Sequence, residues 1–210
     1  FGLRESTITR IKFSHKATMD SYKFVFKEPI FILYCLLGAL SSAVLFAYIT
    51  GSSFVFIGYF GLNEMQYGLL FGINAFSFVL FANINARLTR SFECENLLKF
   101  ALFAMLLALI MASFGAFMEL GFWVFEIGIF ITIGTLGFIL PNSTTLAMAR
   151  FKDHSGTASA VLGVMQFGLA GVIAFGVGIF GANTPLFLAL VMLLPCVIAV
   201  ILLYKRIHQR

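Results

Sequence analysis

The sequence predicts an all-α membrane protein with six transmembrane helices, and three observations carry that prediction. The first is composition. Of 210 residues, 60% are hydrophobic and only 11% charged, with mean hydropathy +1.00. Soluble domains are nearer half apolar and a quarter charged. A water-soluble fold of this length leaves too much area exposed to hide so much apolar surface. The 27 phenylalanines suit an exterior in contact with acyl chains. The second observation is segmentation. Six apolar runs each approach or exceed the roughly 20 residues that a helix needs to cross a hydrocarbon core of about 30 Å. The third is the placement of charge, which alternates from loop to loop.

The six runs fall at about 29–49, 65–86, 97–118, 122–149, 155–180 and 184–204. The first is followed by an expected break at Gly51-Ser52-Ser53 and a further apolar segment to Tyr59. Lipid offers the backbone no hydrogen-bond partner, so a span is a helix or part of a closed barrel. Barrel strands alternate polar and apolar residues, and these runs do not. Residues 1–28 then read as a basic juxtamembrane lead, 29–204 as the bundle and 205–210 as a tail. The chain opens on Phe1 rather than Met and lacks a signal-peptide pattern, so a further N-terminal portion is expected. The three cysteines give no disulfide scaffold.

With both ends in the cytoplasm, the inner segments hold Arg4, Arg10, Lys12, Lys16, Lys23 and Lys27, then Arg87, Arg90 and Lys99, then Arg150 and Lys152, then Lys205, Arg206 and Arg210. That is all 14 basic residues, as the positive-inside rule expects. The pI of 9.3 therefore calls for no nucleic-acid partner. The stretch 10–27, which mixes Phe13, Met19, Tyr22 and Phe24 with lysines, reads either as an amphipathic segment on the anionic inner leaflet or as a solvated linker.

Polar groups inside a span are costly and usually face a bundle interior or a cavity. Glu126 is the acid well inside a span, about five residues, or roughly 8 Å, from the outer end of the fourth helix. On a helical wheel it shares a face with Gly137, Pro141 and Thr144. It reads either as a proton site, since burial disfavours the charged form of a carboxyl, or as an acid reaching the outer interface. Asn74 and Gln166 each fall about half-way through a span, which suits a midplane substrate pathway or interhelical hydrogen-bond glue. Tyr67 shares the face of Asn74, together with Asn85, and Ser159 shares the face of Gln166. Gly137, Pro141 and Asn142 mark a helix that could kink and gate. Asn142 lies nearly opposite Glu126 on an ideal wheel. Small-residue stripes, Ala104, Ala108, Ala112 and Ala116, then Ala170, Ala174, Gly178 and Ala182, mark close helix contacts.

No Walker loop, HExxH, CxxC or GxSxG occurs, and the three histidines, His15, His154 and His208, all fall outside the spans. The sequence thus offers no metal cluster and no intramembrane nucleophile–base pair, and it reads as something other than an enzyme. No cofactor is expected.

Two stretches carry a resemblance. One runs from Phe60-Gly61-Leu62-Asn63-Glu64-Met65-Gln66-Tyr67-Gly68 through Gly72-Ile73-Asn74-Ala75 to Asn83-Ile84-Asn85-Ala86-Arg87-Leu88. The other is Leu140-Pro141-Asn142-Ser143-Thr144, followed by Ser155-Gly156-Thr157-Ala158-Ser159-Ala160 and Gln166-Phe167. Together they resemble the C-terminal half of the bicyclomycin/chloramphenicol-resistance (Bcr/CflA) branch of the major facilitator superfamily, across nearly the whole chain. The Arg4-Glu5-Ser6 start resembles the end of that family's central loop. The resemblance implies the C-terminal six-helix half-bundle of a proton-coupled efflux transporter in a bacterial inner membrane. Such a transporter is driven by the proton gradient, exports drug-like molecules or small metabolites, and is partnered by an N-terminal six-helix half. Arg87 and Arg90 match the basic positions of the superfamily's cytoplasmic gating loop, while Ala86 and Thr89 replace its Asp and Gly. The competing readings are a stand-alone six-helix scaffold and a truncated, non-functional transporter.

Overall fold

The computed structural model describes residues 15–151 and 155–207. The described chain is a succession of helices: α1 (His15–Lys27), α2 (Pro29–Ser53), α3 (Glu64–Leu88), α4 (Cys94–Phe117), α5 (Phe122–Met148), α6 (Ser155–Phe180) and α7 (Pro185–Ile207). A π-helical turn, Phe54–Tyr59, extends α2. From α2 onward, the six long helices are each long and apolar enough to cross a membrane. Residues 1–14 and 208–210, including Phe13, Arg4-Glu5-Ser6 and His208, lie outside the described residues, as does His154.

Local sequence sets the helix ends. Pro29 stands in the first turn of α2, where its missing N–H costs nothing. Asn63 and Gln66 open α3 with a reciprocal cap: Gln66 N donates to Asn63 Oδ1 at 2.9 Å, and Asn63 N donates to Gln66 Oε1 at 3.0 Å. Gly121, at φ +92°, lets the chain turn sharply into α5.

α2 and α5 form the inside of the bundle. α6 and α7 pack on α2, α3 and α4 pack on α5, and α7 also meets α4. Their inward faces supply Phe31, Leu37, Phe56, Phe125, Ile129 and Leu136, all essentially buried. The alanine stripe on α4 acts as expected. A Cβ on Gly128 of α5 would lie 2.8 Å from Ala112 Cβ and 2.9 Å from the Ala108 carbonyl, so α4 and α5 touch almost backbone to backbone. By contrast, Phe100, Phe103, Leu107 and Phe114 of α4 and Val164, Phe167, Val172 and Phe175 of α6 point outward, as lipid permits.

The expected break at Gly51-Ser52-Ser53 does not occur, because α2 runs straight through it. A Cβ on Gly51 would stand 2.7 Å from Leu188 Cδ1 and 3.1 Å from Ala182 Cβ. The glycine admits α7 and the end of α6 rather than ending the helix. α1 is short and rests on α6 and α2. It buries Val25 but leaves Met19, Phe24 and Phe26 exposed.

Candidate functional site

The basic residues between α3 and α4, after α5 and at the end of α7 share one end of the bundle with the start of α2; here this is the basic end, and the opposite end is the far end. Glu126 sits on α5 one turn from the far end. It is 5% exposed. Its carboxyl faces the Asn74 amide of α3, but neither oxygen makes a hydrogen bond within 3.5 Å. The contact is an approach of dipole to carboxyl rather than a formed bond. Asn74 is fully buried, and its Nδ2 donates to the Tyr48 hydroxyl of α2 at 3.1 Å, while its Oδ1 has no partner. One turn further along α3, Ser77 Oγ donates to the Phe130 carbonyl of α5 at 3.1 Å. On the far-end side, Tyr67 and Ser52 share a hydrogen bond of 2.8 Å between their hydroxyls.

Three helices thus converge on one polar cluster: Tyr48 and Ser52 from α2, Tyr67 and Asn74 from α3, Glu126 from α5. Sequence reasoning treated Glu126 and Asn74 as separate features, and the fold brings them together. Tyr48 was missed. Its signal was a tyrosine at the end of the first apolar run, since a buried hydroxyl normally finds a partner. Beside the cluster, a crevice of about 280 Å³ opens between α2, α3 and α5, lined by Leu45, Tyr48, Ile49, Phe71, Phe78 and Ile133 among others. The Tyr48 ring forms one wall and stacks on Phe71 at 5.6 Å between centroids, 11° from parallel. Tyr48 therefore belongs both to the apolar crevice and to the polar cluster.

Gln166 lies elsewhere. It is half-buried on α6 against Gly38 and Ser143, where its Nε2 stands 2.6 Å from the position a Cβ on Gly38 would take. Gly38 and Tyr48 are ten residues apart on α2, about 15 Å of helix rise, so the two midplane amides do not form one site. Ser159 is exposed and turns its hydroxyl back to the Gly156 carbonyl.

Asn142 joins neither amide. It is 1% exposed, and its Nδ2 donates to Asn85 Oδ1 at 2.7 Å, tying α5 to α3 nearer the basic end. α5 continues through Pro141 as one helix. A Cβ on Gly137 would come 2.5 Å from the Phe78 carbonyl and 2.7 Å from Ala82 N, so this glycine serves the crossing of α3. Arg87 and Arg90 are exposed at the basic end. At the same end Arg150 approaches Glu28 at 3.8 Å, and the Arg206 guanidinium lies 4.7 Å above the Tyr34 ring. Among the described residues, no group of three or more His, Cys, Asp or Glu could hold a metal.

Six apolar helices around an unpaired carboxyl, with a polar cluster inside, meet the sequence match at this point. The family model described as Major Facilitator Superfamily matches residues 3–175. The chain belongs to the Major Facilitator Superfamily. Membership places it among membrane transporters rather than enzymes. Two curated relatives of this superfamily chain are informative. It is 26% identical over 153 residues to a bicyclomycin resistance protein homolog of Haemophilus influenzae, a match covering 73% of this chain and 38% of the relative. It is 27% identical over 170 residues to the uncharacterized MFS-type transporter YdgK of Bacillus subtilis, covering 81% of this chain and 42% of the relative. The chain therefore spans about two fifths of the length of these relatives.

Proposed function

We propose that this chain is the C-terminal six-helix half of a proton-coupled efflux transporter in a bacterial inner membrane. It exports drugs or small metabolites by alternating access, with both ends of the chain in the cytoplasm. The partner is a second six-helix half, in keeping with the share of each relative that the chain covers. The proton gradient is the driving force. Arg87 and Arg90 sit at the cytoplasmic face, in the loop that opens and closes against that second half.

The observation that carries the reading is the buried Glu126 carboxyl with no hydrogen-bond partner. An unpaired charge is expensive to bury, so a carboxyl in such a place alternates between a neutral buried state and an ionised hydrated one. This alternation is the property a proton carrier needs. Asn74 and Tyr48 lie between the carboxyl and the apolar crevice. A lipophilic compound lodged in the crevice touches the Tyr48 ring, whose hydroxyl is bonded to Asn74, so ligand and proton act on one short chain of contacts. In the antiport cycle the carboxyl gains a proton from the outer side as the cargo leaves there, and releases it inward as the next cargo binds.

The test is transport in proteoliposomes containing the full-length protein, beginning with bicyclomycin, the compound in the name of one relative. An imposed pH gradient should drive accumulation by the wild type. Glu126→Gln should abolish gradient-driven accumulation while leaving exchange of compound across the membrane at equal pH. Gradient-driven transport that survives Glu126→Gln would remove Glu126 from the mechanism. Asn74→Ala should change which compounds are carried, whereas a uniform loss of protein level would mark Asn74 as a packing residue.

A further inference from the structure

Among the described α-helices, α1 alone is too short to cross a membrane, and the transport reading makes no use of it. Its 13 residues reach about 20 Å, and a helix of that length beside longer apolar spans suits the membrane surface. Pro29 sets its direction. A proline ring disfavours helical geometry at the residue before it, and Glu28 is extended at φ −86° and ψ 101°. The chain therefore turns between α1 and α2, and α1 leans on α6 as well as on α2.

α1 has distinct faces. At about 100° per residue, the fully buried Val25 marks the face against the bundle. Phe24 falls about 100° to one side and meets Phe151 edge-on at 5.9 Å between ring centroids. Phe151 is buried and also meets Phe31 of α2 at 4.9 Å. This side of α1 is thus fixed to the turn that follows α5. The other side carries Tyr22, Phe26 and Met19, about 60–120° from Val25. Phe26 and Met19 are each more than half exposed, and Tyr22 is exposed too, so an apolar strip points away from the end of α5. Beside it, about 160–200° from Val25, stand Lys23 and Lys27, both exposed. Asp20 lies beyond them, toward the Phe24 side.

An apolar strip bordered by lysines, on a short helix at the end of a membrane bundle, fits the lipid surface. Acyl chains accept Met19 and Phe26, and a tyrosine keeps its ring among them with its hydroxyl in the headgroup layer. Lysine stems lie along apolar surface while their ammonium groups reach outward, and anionic headgroups attract basic segments beside a span. Arg87, Arg90 and Lys205 are exposed at the same end, so the charge of this end is complementary to anionic lipid.

We propose that α1 is a binding element for anionic phospholipids of the leaflet at the basic end. It lies along the headgroup layer, with Met19, Tyr22 and Phe26 at the acyl boundary and Lys23 and Lys27 on lipid phosphates. Phe24 and Phe151 tie this lipid contact to the end of α5, the helix that carries Glu126. The lipid contact stands independently of the proton reading.

The experiment places a nitroxide label at Phe26→Cys in the full-length protein, its other cysteines replaced by serine, in vesicles of phosphatidylcholine with and without phosphatidylglycerol. Collision of the label with oxygen, which concentrates among acyl chains, is compared with collision with a water-soluble nickel chelate. A label at Asp20→Cys, on the polar face, is the control. In vesicles containing phosphatidylglycerol, the label at 26 should favour oxygen and the label at 20 nickel. Each lysine near an anionic surface is worth about fivefold, so Lys23→Gln with Lys27→Gln should lower the ratio of lipid-facing to water-facing label at 26 by up to about twenty-five-fold. Omitting phosphatidylglycerol should lower it in the same direction. Where Phe26→Cys does not fold, Met19→Cys on the same strip is read in its place. A label on the strip that favours nickel, or that neither reagent reaches because protein covers it, overturns the proposal. So does an oxygen preference indifferent to phosphatidylglycerol and to both lysines.

Discussion

Replacing Gly137 with alanine adds one methyl group at the tightest helix crossing in the bundle's interior. Its Cβ would lie 2.5 Å from the Phe78 carbonyl oxygen and 2.7 Å from Ala82 N. Both are backbone atoms of α3, so no rotamer change relieves the clash and α3 must move as a body. Gly134, one turn earlier on α5, makes the right comparison. A Cβ there would meet the Phe81 ring at 2.7 Å, and a ring can turn. Overpacking of this kind costs about 1–3 kcal/mol, against a gain of about 1 kcal/mol for alanine over glycine in a helix. Gly134→Ala should come out near neutral. Gly137→Ala should sit at or beyond the upper end, a net loss of about 2 kcal/mol. At about 2–4 °C per kcal/mol for a chain of this size, Tm in detergent should fall by about 4–8 °C. Because the shift would also part Asn74 from Glu126, gradient-driven transport should fall with it. Equal melting temperatures for Gly137→Ala and Gly134→Ala would show that α3 and α5 do not cross at this glycine.

Other consequences follow from single contacts. Asn85→Ala and Asn142→Ala each leave a buried amide unpaired; a double-mutant cycle on thermal stability should give a coupling of about 0.6 kcal/mol and at most about 1.7, and zero coupling would deny the 2.7 Å bond. Tyr48→Phe keeps the ring that lines the crevice but removes the acceptor for Asn74, so binding of a lipophilic compound should persist while gradient-driven accumulation drops, as equilibrium binding and proteoliposome uptake would reveal. Glu28→Ala removes a long, largely exposed contact to Arg150 and should change stability by less than about 1 kcal/mol in the same melting assay. Gly51→Leu should destabilise the fold strongly by driving α7 from α2, a prediction checked by its yield of folded protein on gel filtration.

The number and placement of the spans were readable from the sequence because hydrocarbon imposes a single demand, an apolar helix of sufficient length. The runs at 122–149 and 155–180 differ from α5 and α6 by at most one residue. What hydropathy could not convey was which helix faces which. The spans are apolar on nearly every side, since lipid and neighbouring helices accept the same side chains, and so no polar stripe orients them. Glu126 and Asn74 therefore stood out singly by their cost in a membrane, but their meeting depends on α3 lying across α5 at Gly137. The wheel correctly set Asn142 apart from Glu126, but it could not supply Asn85 as the partner. Gln166 shares Asn74's mid-span character only in sequence, because the relative depth of α3 and α6 is fixed by where each packs. Gly51-Ser52-Ser53 misled because small residues signal both turns and close contacts, and in lipid the contact prevailed.

The most direct test of the central claim is proton release on ligand binding, followed with a pH-sensitive dye in weakly buffered detergent solution of the full-length protein. If Glu126 exchanges its proton for cargo, adding a transported compound should release protons from the wild type and none from Glu126→Gln, with binding retained in both. Equal release from the two proteins would contradict the account, because the coupled proton would then reside on a different group.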